Sequence, residues 1–274
     1  MQAQIVLTPT ESKKMIARAV LQLPRVQRAL QEGILVIHPS SSTIFIYQEL
    51  FGEYPEGLWV CGAVAPHGLT GSKQAEEMIR TRGSGPHDPR KVSRQAWFIR
   101  KGILQPPTPL GDILDQMGEG DVYIKGVNAV DSEGNAGVLF ANPHGGGGTI
   151  GKVLTAQKEK KFDILLPAGL EKLILGSVIN ACHAADRKAA LPMGLPCGLY
   201  PVKGEIINEI DAIGILSGAK AAQLAAGGLG GAEGAVILAI DGEDSQVGQA
   251  NKEVRLVKGA MLPKLEFAGA NNWE

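Results

Sequence analysis

The sequence predicts an α/β fold: a Rossmann-like, mostly parallel sheet with helices on both faces, and a smaller C-terminal α/β domain. Three observations predict it. Short apolar runs rich in β-branched residues alternate with helix-length segments along most of the chain. Two of those runs, at 34–38 and 122–125, are apolar at nearly every position, which is the pattern of strands covered on both faces. The chain's 274 residues suit one large domain plus a small one, and Pro192, Pro196 and Pro201 crowd residues 191–201 into a domain edge. The expected division is a ligand-binding domain over 1–200 and a smaller α/β domain with its tail over 201–274.

The elements follow in order. Residues 11–30 read as helical, with Met15, Ile16, Ala19, Val20 and Leu23 on one stripe and Pro24 dividing the helix in two. Gly33 ends that helix and 34–38 is a buried strand. A helix is expected over 44–50, a strand over 58–64 and a polar helix over 72–82. Strands are expected over 96–99, 122–125 and 136–140. A helix follows over 151–161, a strand over 163–166 and a longer helix over 170–186. Past the proline cluster, 210–216 reads as a strand, 219–226 as a small-residue helix, 235–240 and 254–257 as strands, and the tail from 262 as irregular.

Composition excludes several classes. Lys+Arg is 27 and Asp+Glu is 28, a formal net charge of -1, so the chain is no polyanion-coating protein and no nucleic-acid partner is expected. No run of about 18 apolar residues is present, so no membrane span is expected. The first ten residues carry no leader pattern. Cys61, Cys182 and Cys197 are odd in number and form no CxxC pair, which points to a reducing cytoplasm and away from a thiolate zinc site. His38, His67, His87, His144 and His183 form no HxH or HExxH pattern, so no metal and no cofactor is expected.

Four segments can carry chemistry. Pro39, Ser40, Ser41, Ser42 and Thr43 join a strand to a helix, where backbone N–H groups and hydroxyls suit a phosphate; the same residues also serve as a helix cap. His144, Gly145, Gly146, Gly147, Gly148 and Thr149 form a bare loop whose N–H groups can wrap an anion, although the full GxxxxGK[ST] pattern is absent; a tight turn is the alternative. Residues 125–131 begin at the carboxyl end of a strand, where ligands of open α/β sheets gather. There Lys125 can clamp an anion, Asn128 can bind hydroxyls and Asp131 can act as base, while 132–135 reads as a turn. Residues 73–101 hold Lys73, Arg80, Arg82, Arg90, Lys91, Arg94, Arg100 and Lys101 against Glu76, Glu77 and Asp88, a basic stretch that is either an anion-binding lid or a solvated surface. The glycine-rich 227–234 lacks the strand-before, helix-after context of a dinucleotide loop and reads as a helix cap and turn.

The order of these segments resembles type A ribose-5-phosphate isomerase, of a superfamily that also holds glucosamine-6-phosphate deaminase and the CoA transferases. Thr10, Glu11, Ser12, Lys13 and Lys14 are similar to the family's opening helix with its lysine pair. Residues 39–43 stand where the family has its phosphate loop, 125–131 resembles its acidic segment and 144–148 its Lys-Gly-Gly-Gly-Gly run. The resemblance covers roughly 10–175 and leaves 71–109 unmatched. It implies a phosphorylated ligand but not the isomerisation. The family's two acids fall on Lys125 and Asn128, its loop lysine on His144 and its catalytic glutamate on Val153, which cannot take a proton. Asp131 is kept. The CoA-transferase branch uses a glutamate nucleophile, for which Glu133 is the one candidate by position.

The expectation is therefore a small phosphorylated or anionic metabolite held between residues 40–43, 125–131 and 144–149. Asp131 or His144 would be acid or base and Lys125 the clamp in a divergent sugar-phosphate or acyl-group enzyme. The alternatives are a non-catalytic binding or regulatory protein, and an oligomeric scaffold with the Gly-rich C-terminal part as its interface. A homo-oligomer is expected.

Overall fold

A computed structural model describes residues 1–55, 60–66, 68–72, 96–140, 147–185 and 189–264. In chain order the elements are β1 (Gln2–Leu7), α1 (Pro9–Gln22), α2 (Pro24–Glu32), β2 (Ile34–His38), α3 (Ile44–Phe51), β3 (Cys61–Ala65), β4 (Gly68–Gly71), β5 (Trp97–Arg100), β6 (Ile103–Leu104) and α4 (Leu110–Gln116). Then come β7 (Val122–Lys125), β8 (Ala129–Val130), β9 (Ala136–Phe140), α5 (Gly148–Lys160), β10 (Asp163–Pro167), a 3-10 turn (Leu170–Lys172) and α6 (Val178–Ala184). The chain continues with β11 (Gly198–Val202), β12 (Glu205–Ile207), α7 (Glu209–Ser217), β13 (Lys220–Gly227), β14 (Ala235–Asp241) and α8 (Asp244–Val257).

The fold is mixed α/β. Its largest sheet has six strands in the order β12-β10-β7-β2-β5-β6. The first four are mutually parallel, and β5 and β6 are antiparallel additions, so the sheet is mixed rather than mostly parallel throughout. Side-chain alternation splits its core in two. Leu35, Ile37, Val122, Ile124 and Leu165 face one side, packed with Met15, Ile16 and Val20 of α1, Val26 of α2 and Phe45 of α3. Ile34, Val36, Tyr123, Ile164 and Leu166 face the other, packed with Ile113 of α4 and Val153 of α5. A strand buried on both faces must be apolar at successive positions, and all five residues of β2 are buried.

A second sheet, in the order β1-β14-β13, is antiparallel. Ile5, Leu7, Val236, Leu238 and Ile240 enter the same core as α1, joined by Ala212 and Ile213 of α7 and Val247 and Val254 of α8. The sheets do not divide at residue 200: β1 pairs with β14, while β12 edges the six-stranded sheet.

Pro24 opens α2 at a position where its missing N–H costs nothing, so the helix break falls where the sequence places it. Four expected elements are corrected. Residues 210–216 lie in α7, not a strand. Asn208 accepts from the N–H groups of Ile210 and Asp211, and Asp211 returns the bond to Asn208, so a capping box nucleates a helix in a run too short for periodicity to decide. Residues 219–226 lie in β13, where pairing with β14 overrides the helix preference of alanine. Residues 254–257 are the last turn of α8, whose Val247, Ala250, Val254 and Val257 sit at helical spacing on a buried face. The long helix over 170–186 is instead the 3-10 turn, an extended stretch and α6. Ile174 N–H donates to the Val130 carbonyl and Val178 N–H to Asp131, so tertiary bonds hold the stretch open. Accordingly 227–234 connects two antiparallel strands and follows no helix. The expected strand at 58–64 is described from residue 60, and β3 spans Cys61–Ala65. The helix expected over 72–82 lies outside the described residues from 73 onward, as do the basic residues 73–94, His67 and His87.

Candidate functional site

The carboxyl ends of the four parallel strands deliver four loops to one edge: 39–43 after β2, 126–128 after β7, 168–172 after β10 and 208 after β12. Ligands of open α/β sheets gather at such an edge.

The first loop is tightly organised by its own hydroxyls. Ser40 Oγ accepts from the N–H groups of Ser42 and Thr43 at 3.2 Å each, lies 3.0 Å from Thr43 Oγ1, and Thr43 Oγ1 donates to the His38 carbonyl at 2.6 Å. Gly126 packs directly on this loop. A Cβ there would stand 2.5 Å from Ser40 Oγ and 3.5 Å from Ser42 Cβ, so only glycine permits the approach. The structure thus brings Ser40, Ser42 and Gly126 of the 125–128 segment together. Ser41 is the more exposed neighbour of the buried Ser42.

Lys172, Glu171 and Glu209, which the sequence reading did not single out, and Lys13, named there only through the family resemblance, complete the cluster. Lys172, from the 3-10 turn, donates to Ser42 Oγ at 2.6 Å. Lys13 of α1 lies 3.0 Å from Glu171 Oε1 in an ion pair, both side chains largely buried. Glu209, fully buried at the start of α7, accepts from Leu170 N–H at 2.9 and 3.2 Å and so fixes the turn that carries Lys172. Burial pushes the Glu209 carboxyl up, against a lowering contribution from Ser12. Burial, with Lys13 repulsion added, pulls the Lys172 amine down to about 8, while Glu171 and Glu209 act in the opposite direction. The one available signal was positional: Gly169, Leu170, Glu171 and Lys172 follow the end of a strand in the same way as 39–43 and 125–128.

Lys125 is buried at the end of β7, in register with His38. Burial, reinforced by Lys125, keeps His38 well below its ordinary range; its Nδ1 lies 3.0 Å from Tyr123 Oη inside the core. That pair is structural.

Asp131 and Asn128 are committed to the chain itself. The Asp131 carboxylate accepts from the backbone N–H groups of Val178, Asn135 and Glu133 and from Asn135 Nδ2. The Val178 bond, helped by those from Asn135 and Glu133, holds its carboxyl down to about 2 against the opposing effect of burial. Asn128 Oδ1 accepts from Leu139 N–H at 3.0 Å, tying the loop to β9. Glu133 is exposed in the same turn. Of the glycine loop, His144, Gly145 and Gly146 lie outside the described residues. Gly147 has φ 79° and its Cα faces the Tyr200 ring, which a Cβ would meet at 2.6 Å, so packing as well as backbone shape calls for glycine there. Gly148 and Thr149 open α5.

A cleft of about 490 Å³ is lined by Arg18, Gln22, Gln27, Glu49, Gln249 and Glu253 among others. Its charges are mutually satisfied: Arg18 donates to Glu49 at 3.0 Å and to Glu253 at 2.8 and 3.0 Å. Among the described residues no group of three or more His, Cys, Asp or Glu is placed to hold a metal ion, and no helix is long and apolar enough to cross a membrane.

Fold and site together define a mixed α/β protein with a lysine, serine and glutamate cluster at the carboxyl edge of its parallel strands. The chain matches no family model, no curated protein and no solved structure.

Proposed function

We propose that this chain binds a small phosphorylated or otherwise anionic metabolite at the carboxyl edge of β2, β7 and β10. In this reading the six-stranded sheet works as a Rossmann-like layer, β1-β14-β13 as an accessory unit, and the kinship is with a divergent branch of the isomerase and CoA-transferase superfamily. The observation that carries the reading is the pairing of two lysines with a hydroxyl. Lys13 and Lys172 are close enough to repel, and Lys172 already touches Ser42. An anion seated between two ammonium groups removes that repulsion and takes charge-assisted hydrogen bonds from both. The cytoplasm and a homo-oligomer remain part of the proposal.

One observation favours binding without turnover. Asp131, the expected base, is occupied by four donors from its own neighbourhood and held fully ionised, which suits an anchor and not a proton carrier.

A thermal-shift panel of sugar phosphates, nucleotides, CoA esters, inorganic phosphate and sulfate tests the binding. A ligand at about 100 times its Kd adds about 2.7 kcal/mol of stability. The expected result is a raised midpoint with phosphorylated compounds that is lost in Lys13→Met and Ser42→Ala. No shift with any anion overturns the reading.

A further inference from the structure

We propose that Lys172 is a reactive amine: its Nζ, held by Ser42 and flanked by Lys13, condenses with the carbonyl carbon of an aldehyde or ketone to form an imine. The inference deepens the binding reading, on which it rests for the seat of the substrate, by naming the reacting group of that substrate.

The two lysines of the cluster are treated differently. Lys13 has a carboxylate partner, Glu171, at 3.0 Å. Lys172 has a hydroxyl, Ser42 Oγ at 2.6 Å, and among the described residues no carboxylate oxygen within 4.0 Å of its Nζ. The groups that face it are Lys13 from α1, Glu171 on its own turn and Glu209 from α7. A part-buried ammonium bonded, among the described residues, to a hydroxyl, with another ammonium nearby, gives up its proton more readily than an exposed one. A lysine made nucleophilic by desolvation or by a second cation is a recurrent carbonyl-attacking group. The turn that carries it is fixed at both ends, by Glu209 on Leu170 N–H and by the Val130 carbonyl on Ile174 N–H, so the amine is presented rigidly.

The step balances without any oxidant or reductant. The Nζ lone pair bonds to the carbonyl carbon, the C=O π pair moves to oxygen, and a proton passes from nitrogen to that oxygen through the Ser42 hydroxyl. The carbinolamine then loses its hydroxyl with a second proton as one water, leaving C=N.

The test uses the full chain with two probe aldehydes, pyridoxal 5′-phosphate and unphosphorylated pyridoxal, each reduced with borohydride and followed by peptide mass spectrometry. Near neutral pH an amine at about 8 has a neutral fraction roughly 200–300 times that of an ordinary lysine, so its adduct forms well ahead of those on exposed Lys101 and Lys158. Adduct at Lys172 with both probes, favouring the phosphorylated one, supports the imine and the anion site together. Adduct with both and no preference supports the imine and tells against the anion site. No preferential adduct at Lys172 with either probe overturns the inference, and the phosphate thermal shift then judges the binding reading alone. Lys172→Arg keeps the charge and should lose the adduct. Lys13→Met leaves Lys172 in place, removes the neighbouring charge and should slow its labelling several-fold.

Discussion

At the scale of single residues, the largest revision concerns Asp131. By position it is a base at a strand end; by structure it is the knot that joins the 131–135 turn to the first turn of α6. Its folded carboxyl titrates at about 2, below the ordinary value of about 3.9, so its contribution is complete above pH of about 4 and is lost as pH falls toward 2. Asp131→Asn should therefore lower the thermal midpoint at neutral pH and flatten the loss of stability on acidification, both measurable by calorimetry across an acid pH series. A mutant with an unchanged acid limb would remove Asp131 from this role. Strand-end logic placed Ser40, Ser42 and Lys125 at the carboxyl edge of the sheet because it depends only on where strands stop. It passed over Lys172 because 170–186 looks helical in isolation, and the bonds that hold it extended come from Val130 and Asp131, about 40 residues earlier.

At the scale of elements, the strands buried on both faces were the most legible. β2 and β7 fall where the sequence puts them, since a continuous apolar run leaves few alternatives. The C-terminal third was misread in α7, β13 and the end of α8, where isoleucine-rich or alanine-rich stretches are short and the deciding signals are a capping box and a sheet partner. Caps also tie elements together. Thr8 and Glu11 form a capping box at α1, and Glu11 further accepts from Lys258 Nζ at 2.7 Å and Gly259 N–H at 2.9 Å, just past α8. Burial alone would raise the Glu11 carboxyl, but the Lys258 bond and the two backbone donors bring it below its ordinary value. Glu11→Ala removes a helix cap and the pin on α8 at once and should cost about 2 kcal/mol in denaturant unfolding. A change of only a few tenths would mean the two helices are held by packing alone.

At the scale of the whole molecule, the pairing of β1 with β14 closes the chain's two ends into one sheet, and α1 lies in the core shared by that sheet and the six-stranded one. This is why Lys13, near the start of the chain, reaches Glu171 at the far edge of the parallel strands. Sequence order hides that meeting, because it depends on how α1 lies across strands more than 100 residues later. The central claim is that this edge binds an anion. Its most direct test is to follow backbone amide resonances during titration with inorganic phosphate. Binding at the proposed edge predicts saturable shifts at 40–43, 126–128 and 170–172 together, with the cleft around Arg18 and Gln249 unmoved. Shifts confined to that cleft, or none at the strand ends, would contradict it.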